Sequence, residues 1–530
     1  MSRLEARIDG MTCDGCARRV REAFERAGAE HVEVDWQGAS ARLDPKCASE
    51  ADLRDALSDS SYRLTGLREL DGPSDRDGAC DVELLIIGSG GGAFAGAIRA
   101  RELGRSVLMV EHATTGGTCV NIGCIPSKAM LVDAAAAHGD ADRMRSAQQR
   151  KRALVARLRA DKYEHLVEEY GFELRHGRAE LIGPHTVAID GEPVRAQSIL
   201  IAAGARPAGP AIPGLRDAGY LTSTTALELE RLPARIAVLG TGPVGLELGQ
   251  MLGDFGAQVT FIARRCLAPN TEPEIADVMR RVFGDAGHTV LERHTTETVA
   301  VEGSEKVLRG RDATGKPFEL HVDELLVATG RTPNTDGLGL ERVGVQTDER
   351  GHILVDAEQR TSAAGIFAVG DCTQQPQYVY VAASGGAAAA DNALGQGGRR
   401  LNFEALPRII FTEPAIASAG LTEAAARDAG RDVDSRVLPL DVVPRALVNA
   451  DTRGLVKLIA ETGSGRLLGA TIVATGAGDI VLAATLAIER GMTVTELGAT
   501  WAPYLTMAES LRLAAQMFNR DVSKLSCCAA

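Results

Sequence analysis

Apolar and polar positions change their rhythm several times along the chain, and each change marks a boundary. "ARIDG" and "HVEVDW" alternate at every second residue and predict strands. "DGCARRVREAFERAG" repeats its apolar positions at helical spacing, and "SEADLRDALSDS" reads as a second helix. "LRELDGPSDRDGACD" then gathers Asp, Gly, Pro and Ser and predicts a linker. From Val82 onward, apolar runs of the buried-strand type enter glycine-rich turns, which predicts doubly wound α/β units. Residues 140–170 are charged and helical, and from about residue 402 a mixed α+β stretch runs to the tail. There is no tandem repeat, but one device occurs twice.

Its first copy is "VELLIIGSGGGAFAGAIRARELGRSVLMVE". A strand enters Gly88, Gly90 and Ala93 follow at dinucleotide-site spacing, and a helix leads to a second strand ending at Glu111. The first glycine makes the tight turn, and the second lets backbone approach a pyrophosphate. The small third residue packs helix on strand, and the helix N-terminus faces the phosphate charge. Glu111 stands where a carboxylate takes ribose hydroxyls. The second copy, "RIAVLGTGPVGLELGQMLGDFGAQVTFIARR", carries Gly240, Gly242 and Gly245. Its second strand ends in Ala263 followed by Arg264 and Arg265, so the usual acid is replaced by guanidinium groups. That exchange suits a 2′-phosphate and favours NADPH over NADH; two solvated arginines on a strand end is the alternative. Two such sites imply a flavin and a nicotinamide. "GIFAVGDCTQQPQYVYVAASGG" adds Asp371 after a buried-type strand, where a carboxylate holds a ribityl hydroxyl of FAD.

Length and charge narrow the picture. A chain of 530 residues exceeds one core and predicts about three or four domains. The formal net charge of −13, without a long basic block, argues against a nucleic-acid or anionic-membrane partner. No apolar run approaches the roughly 18 residues of a membrane span, and no secretory signal is visible, so a cytoplasmic protein is expected. Six of the ten cysteines fall in close pairs: Cys13/Cys16, Cys119/Cys124 and Cys527/Cys528. In a reducing compartment such pairs point to redox or soft-metal chemistry rather than structural disulfides. Cys47, Cys80, Cys266 and Cys372 stand alone and receive no role.

Cys119 and Cys124 lie in "GGTCVNIGCIPSK". This spacing at a helix start lets both sulfurs reach one disulfide, and helix-terminal amides lower a thiol pKa. With the two glycine turns, "LLVATGRTPN" and the Asp371 segment, residues 82–530 resemble the pyridine nucleotide–disulfide oxidoreductases. The resemblance implies that Cys124 lies against the flavin as the charge-transfer thiolate and that Cys119 is the outer, interchange thiol. It places Lys128 near the flavin N5 edge, paired with Glu247, and adds Gly117 and Thr118 to the FAD contacts. Members that reduce disulfides carry His-Pro near the C-terminus, with Glu five residues after the His; "WAPYLTMAESLRLAAQMF" has Tyr504, Leu505 and Glu509 there. All ten histidines lie at or before His352. A phenol of ordinary pKa ~10 is a poor proton shuttle at neutral pH.

"GMTCDGC", with Cys13 and Cys16, resembles the heavy-metal-associated domain of copper chaperones and metal-pumping ATPases; a thioredoxin-like or zinc-binding CxxC is the alternative. Together with Tyr504 and the Cys527–Cys528 tail, this resembles the mercury(II)-reducing members of the oxidoreductase family. The resemblance implies a homodimer using FAD and NADPH to reduce Hg(II), received from a membrane mercury transporter or from small thiols. The metal would be bound by Cys13/Cys16, Cys119/Cys124 and Cys527/Cys528. The tail would pass Hg(II) by thiolate exchange to the partner's inner pair, with Tyr220 and Tyr504 lining the route. The alternatives are a lipoamide- or glutathione-type disulfide reductase and a non-catalytic soft-metal binding protein.

The expected fold is α/β. A small βαββαβ ferredoxin-like metal-binding domain (1–70) and a linker (71–80) precede a Rossmann-like FAD domain (81–221 and 336–401). A Rossmann-like NADPH domain (222–335) is inserted in it, and an α+β dimerisation domain with the tail follows (402–530).

Overall fold

The structure is a computed structural model and describes residues 4–11, 13–36, 38–44, 48–58, 60–69 and 80–521. Most of the linker, Cys47 and the Cys527–Cys528 tail lie outside the described residues. The chain packs as two units that part before Cys80.

The first unit runs β1 (Leu4–Asp9), α1 (Asp14–Arg26), β2 (Glu30–Asp35), β3 (Ser40–Asp44), α2 (Glu50–Asp55) and β4 (Arg63–Glu69). The strands form one antiparallel sheet in the order β2-β3-β1-β4. Ala17, Val20, Ala23 and Phe24 recur at helical spacing on α1, and they are buried. Val20, Ala23 and Phe24 pack with Ile8, Leu43, Leu53 and Leu64 into one apolar core. Ser49 starts α2 with a reciprocal capping box to Asp52.

The second unit begins with β5 (Val82–Ile87), α3 (Gly91–Glu102) and β6 (Val107–Glu111). After the short α4 (Gly117–Ile122) come α5 (Cys124–Ala135) and α6 (Arg143–Arg159). Then β7 (Glu192–Ile201) returns parallel to β5 on the side away from β6. The strand Ile366–Ala368, far along the chain, pairs parallel with β7, so this sheet is built from two separated stretches.

A second parallel sheet follows, with β8 (Arg235–Leu239) flanked by β9 (Gln258–Ala263) and β10 (Glu324–Val327). Helix α7 (Pro243–Asp254) connects β8 to β9, and α8 (Pro273–Asp285) follows β9. A third sheet is antiparallel and five-stranded; β11 (Arg408–Ile410) forms one edge and β12 (Leu455–Glu461) lies inside it. One apolar cluster joins the second and third sheets to α5: Met130 and Ala134, Ile236 and Leu246, Ile410 and Leu455 belong to it. A charge knot lies beside that cluster. Lys457 of β12, 3% exposed at its side chain, reaches Glu272 and Glu274 at 2.8 Å and Glu423 at 2.9 Å. Among the described residues no helix is long and apolar enough to cross a membrane.

Candidate redox and dinucleotide site

Both glycine turns take the shape their spacing predicts. Gly88 has φ +106°, and a Cβ there would lie 2.4 Å from the carbonyl oxygen of Ala202. Gly240 repeats the geometry at φ +98°, with Ala328 in the place of Ala202. A Cβ on Gly242 would meet nothing within 4 Å, and one on Gly90 would only touch Gly117 at 4.0 Å, so backbone there is open to a ligand. A Cβ on Gly245 would lie 1.9 Å from the Gly240 carbonyl; Ala93, wholly buried, is its counterpart. This open, amide-edged backbone at a helix start fits a pyrophosphate.

Over the second turn lies a cavity of about 1060 Å³, lined by Gly240, Gly242, Arg264, Arg265 and Cys266 among others. Arg265 donates to Asn270 Oδ1 at 3.0 Å. Tyr220 packs on the apolar cluster of this sheet, with its hydroxyl against Gly209, which lines the cavity. On the first turn, Glu111 is 7% exposed. It accepts from the Ser89 hydroxyl at 2.6 Å and from the Ala113 amide at 2.7 Å. Ser89 in turn accepts from the Gly116 amide at 3.1 Å, so Glu111 also ties the glycine turn to the segment that carries the thiols. A carboxylate has lone pairs left for ribose hydroxyls. Asp371 sits after Ile366–Ala368; burial pushes its carboxyl up, and Arg331, at 3.3 Å, opposes that.

The thiols sit where two short helices meet. Cys119 is in the middle of α4, Cys124 opens α5, and Gly123 between them bends the chain. Thr118 lies beside Cys119 on α4. Cys119 is half-buried and Cys124 exposed, and both are free thiols that hydrogen-bond each other. The bond from Cys119 lowers the Cys124 thiol to about 6, and the Lys128 charge adds to this against burial. The same bond and burial push Cys119 up. Lys128, one turn along α5, meets Glu247 of α7 at 2.6 Å. Cys119, Cys124, Lys128 and Glu247, drawn from two regions of the sequence, are thus gathered at one place.

Three neighbours were missed in the sequence. Tyr163 lies in a single π-helical turn, Ala160–Glu164, and its phenol is raised by burial and then by the charge of both thiols. Phe411 places its ring 4.6 Å from the Lys128 ammonium. Gln250 of α7 bonds the backbone of Glu413. None carries a motif; π-turns mark functional sites but are not legible from residue types.

Tyr504 is 51% exposed, in the loop before the helix Glu509–Gln516. Glu509, 3% exposed, accepts from the Leu505 amide at 3.3 Å and from Arg512 at 3.1 Å. In the first unit, Cys13 caps α1 and Cys16 lies in its first turn, with the sulfurs 3.5 Å apart. Among the described residues no cluster of three or more His, Cys, Asp and Glu could hold a metal ion.

Comparison with known proteins agrees with this geometry. Residues 82–386 match the pyridine nucleotide-disulphide oxidoreductase family, and residues 406–515 match that family's dimerisation domain. The chain is 43% identical to a mercuric reductase of Staphylococcus aureus over 543 aligned positions, covering 98% of each chain. It is 51% identical to the mercuric reductase of Streptomyces lividans, over 84% of this chain and 98% of that one. Among solved structures, the Cu(II) complex of the HOCl-induced flavoprotein disulfide reductase RclA from Escherichia coli superposes with a TM-score of 0.76. It is 30% identical and covers 83% of this chain and all of that one. The chain belongs to the pyridine nucleotide-disulphide oxidoreductases.

Proposed function

We infer that this chain is an FAD- and NADPH-dependent oxidoreductase that reduces Hg(II) to elemental mercury, with NADPH oxidised to NADP⁺ and one proton released. The observation that carries this is the Cys119/Cys124 pair beside the Lys128–Glu247 ion pair, in a chain whose relatives at 43% and 51% identity are mercuric reductases. FAD, when bound, takes a hydride from NADPH and supplies two electrons onward. Gly88, Gly90, Ala93, Glu111, Gly117, Thr118 and Asp371 would hold it. Gly240, Gly242 and Gly245 would hold NADPH, with Arg264 and Arg265 toward its 2′-phosphate.

The chain's own chemistry is to bind the metal and keep it placed. The Cys124 thiol, lowered to about 6, is a thiolate at neutral pH, the form in which sulfur binds soft metals. Cys119 adds the second sulfur and loses its proton as Hg(II) binds, since metal binding releases ligand protons. Glu247 keeps Lys128 beside Cys124, where its positive charge favours the thiolate. Tyr220 and Tyr504 are assigned to the metal route. No histidine follows His352, so the histidine acid for a leaving thiolate is missing from the C-terminal sequence, which favours a metal over a disulfide substrate.

In the same reading, residues 1–70 form a heavy-metal-associated domain. Its sheet order and the paired sulfurs of Cys13 and Cys16 support that assignment. A linker, a split FAD domain around an NADPH domain and a dimerisation domain follow, and the protein works as a homodimer. Cys527 and Cys528 deliver Hg(II) from small thiols or a membrane transporter.

The test is NADPH oxidation by the pure protein with excess small thiol, comparing Hg(II), oxidised glutathione and lipoamide. Turnover with Hg(II) alone supports the reading. Equal or faster turnover with either disulfide would make the protein a disulfide reductase instead.

A further inference from the structure

The Lys128–Glu247 pair is held from a third direction. On α7, Glu247 and Gln250 are three residues apart and so share a helix face. That face meets the chain just past β11, where alternate residues offer their backbone to one side. The Phe411 amide donates to Glu247 Oε1 at 3.0 Å and the Glu413 amide to Gln250 Oε1 at 2.8 Å. Gln250 Nε2 returns a bond to the Glu413 carbonyl at 3.0 Å. Two helix side chains thus serve this extended segment as a neighbouring strand would. The Glu247 carboxylate is divided by the arrangement, with Oε1 on the Phe411 amide and Oε2 on the Lys128 ammonium.

The Phe411 side chain is not a core residue, being 42% exposed. Its ring lies 4.6 Å from Lys128 Nζ, within the range at which a π-face attracts a cation. An ammonium with a single carboxylate partner can swing about it, because a point-charge pair fixes distance better than direction. A ring on a second side removes that freedom.

We propose that Phe411 is a positioning residue for Lys128: its amide fixes the Glu247 carboxylate, and its ring fixes the ammonium which that carboxylate holds. The redox centre is therefore set in part by the C-terminal region of the same chain, whose match to a dimerisation domain covers Phe411. This rests on the reading that Lys128 faces bound FAD.

The experiment uses the holoenzyme with Phe411→Leu, which keeps the amide and removes the ring, and Phe411→Tyr, which keeps both. The readouts are the FAD midpoint potential, the thiolate–flavin charge-transfer absorbance at fixed pH, and the split between kcat and KM for NADPH. Phe411→Leu should lower the potential, weaken the absorbance and reduce kcat about fivefold, the size of a partly exposed cation–π contact, with KM unchanged. Phe411→Tyr should match wild type. In a Lys128→Gln background, Phe411→Leu should shift the potential no further. Wild-type values in Phe411→Leu, equal losses in both variants, or an undiminished shift in the Lys128→Gln background would each overturn the proposal. Should Phe411→Leu fail to fold with FAD, Phe411→Met enters the same comparison. A wild-type protein that shows no charge-transfer absorbance would instead remove the flavin reading on which the proposal rests.

Discussion

The chain places a thiol pair at a helix start in each of its two units, and their surroundings differ. Cys13 and Cys16 span the first turn of α1, with Cys13 exposed and the Tyr62 hydroxyl bonded to Cys16. Cys119 and Cys124 span two helices, and beside them stand a buried carboxylate, its ammonium partner and an open glycine turn. The first pair offers two sulfurs on one helical turn, Cys13 exposed and Cys16 half-buried. The second adds a fixed positive charge and room for a dinucleotide, which redox chemistry needs. Two thiols at close spacing define a ligand; the groups around them decide whether electrons also move.

The comparison breaks most sharply at Cys124. Cys124→Ala should lower NADPH-dependent Hg(II) reduction by about a thousandfold or more and abolish the thiolate–flavin absorbance at every pH, whereas Cys119→Ala should retain that absorbance above the ordinary thiol pKa of ~8.5. A Cys124→Ala enzyme that still turned over would move the chemistry away from this pair.

A smaller effect separates the two inner thiols. In the reduced protein, alkylation of Cys124 should fall off as pH drops through about 6, because only the thiolate reacts. Cys119→Ala removes the donor that contributes most to this lowering, so the fall should move up toward the ordinary ~8.5 and slow alkylation at pH 7 by up to about thirtyfold. Mass spectrometry of the labelled peptide reads the rate; an unmoved profile would leave the lowering to Lys128 and the helix start.

Next comes the cavity. Arg264→Glu should cut the preference for NADPH over NADH by about tenfold, measured as a ratio of kcat/KM values. A ratio unchanged by the substitution would leave Arg264 as a solvated strand-end residue.

The smallest effect belongs to the first unit. Cys13→Ala with Cys16→Ala should leave turnover of small-thiol Hg(II) within about twofold of wild type, since both cysteines belong to the first unit and the redox groups to the second. The same variant should bind one soft metal ion fewer at equilibrium. A large loss of turnover would make the N-terminal pair obligatory and erase the distinction drawn above.

The parts legible in the sequence are those whose partners are close along the chain. Gly88 to Glu111 and Gly240 to Arg265 encode strand, turn, helix and strand in order, and the CxxxxC spacing sits in one short segment. The Lys128–Glu247 pair spans 119 residues and was reached only through resemblance to a family. Phe411 reaches Glu247 across 164 residues and has no local signature: an apolar residue beside a β-strand reads as core. The second duty of Glu111, holding Ser89 and through it the thiol segment, was hidden because a carboxylate at that position already had a reason to be there. The pairing order of the third sheet, with β11 at an edge and β12 inside, depends on contacts that no single stretch of sequence contains.

The charge knot at Lys457 has a consequence for how this molecule comes apart. Its carboxylates come from Glu272 and Glu274 at the start of α8 and from Glu423, more than 140 residues later, while the lysine belongs to β12. Releasing β12 alone would leave the buried Glu272 carboxylate without its cation, at a cost of about 3–5 kcal/mol, and releasing the start of α8 alone would leave Lys457 with Glu423 only. The start of α8 and β12 should therefore open to solvent in one cooperative event, as a single foldon drawn from distant parts of the chain. Acid weakens the bond through Glu423. Arg427, then Lys457, hold Glu423 down to about 2, so its contribution is full above the unfolded value near 4.3 and is lost as pH falls toward 2. At neutral pH, where Glu423 keeps its charge, the second and third sheets should share one fate.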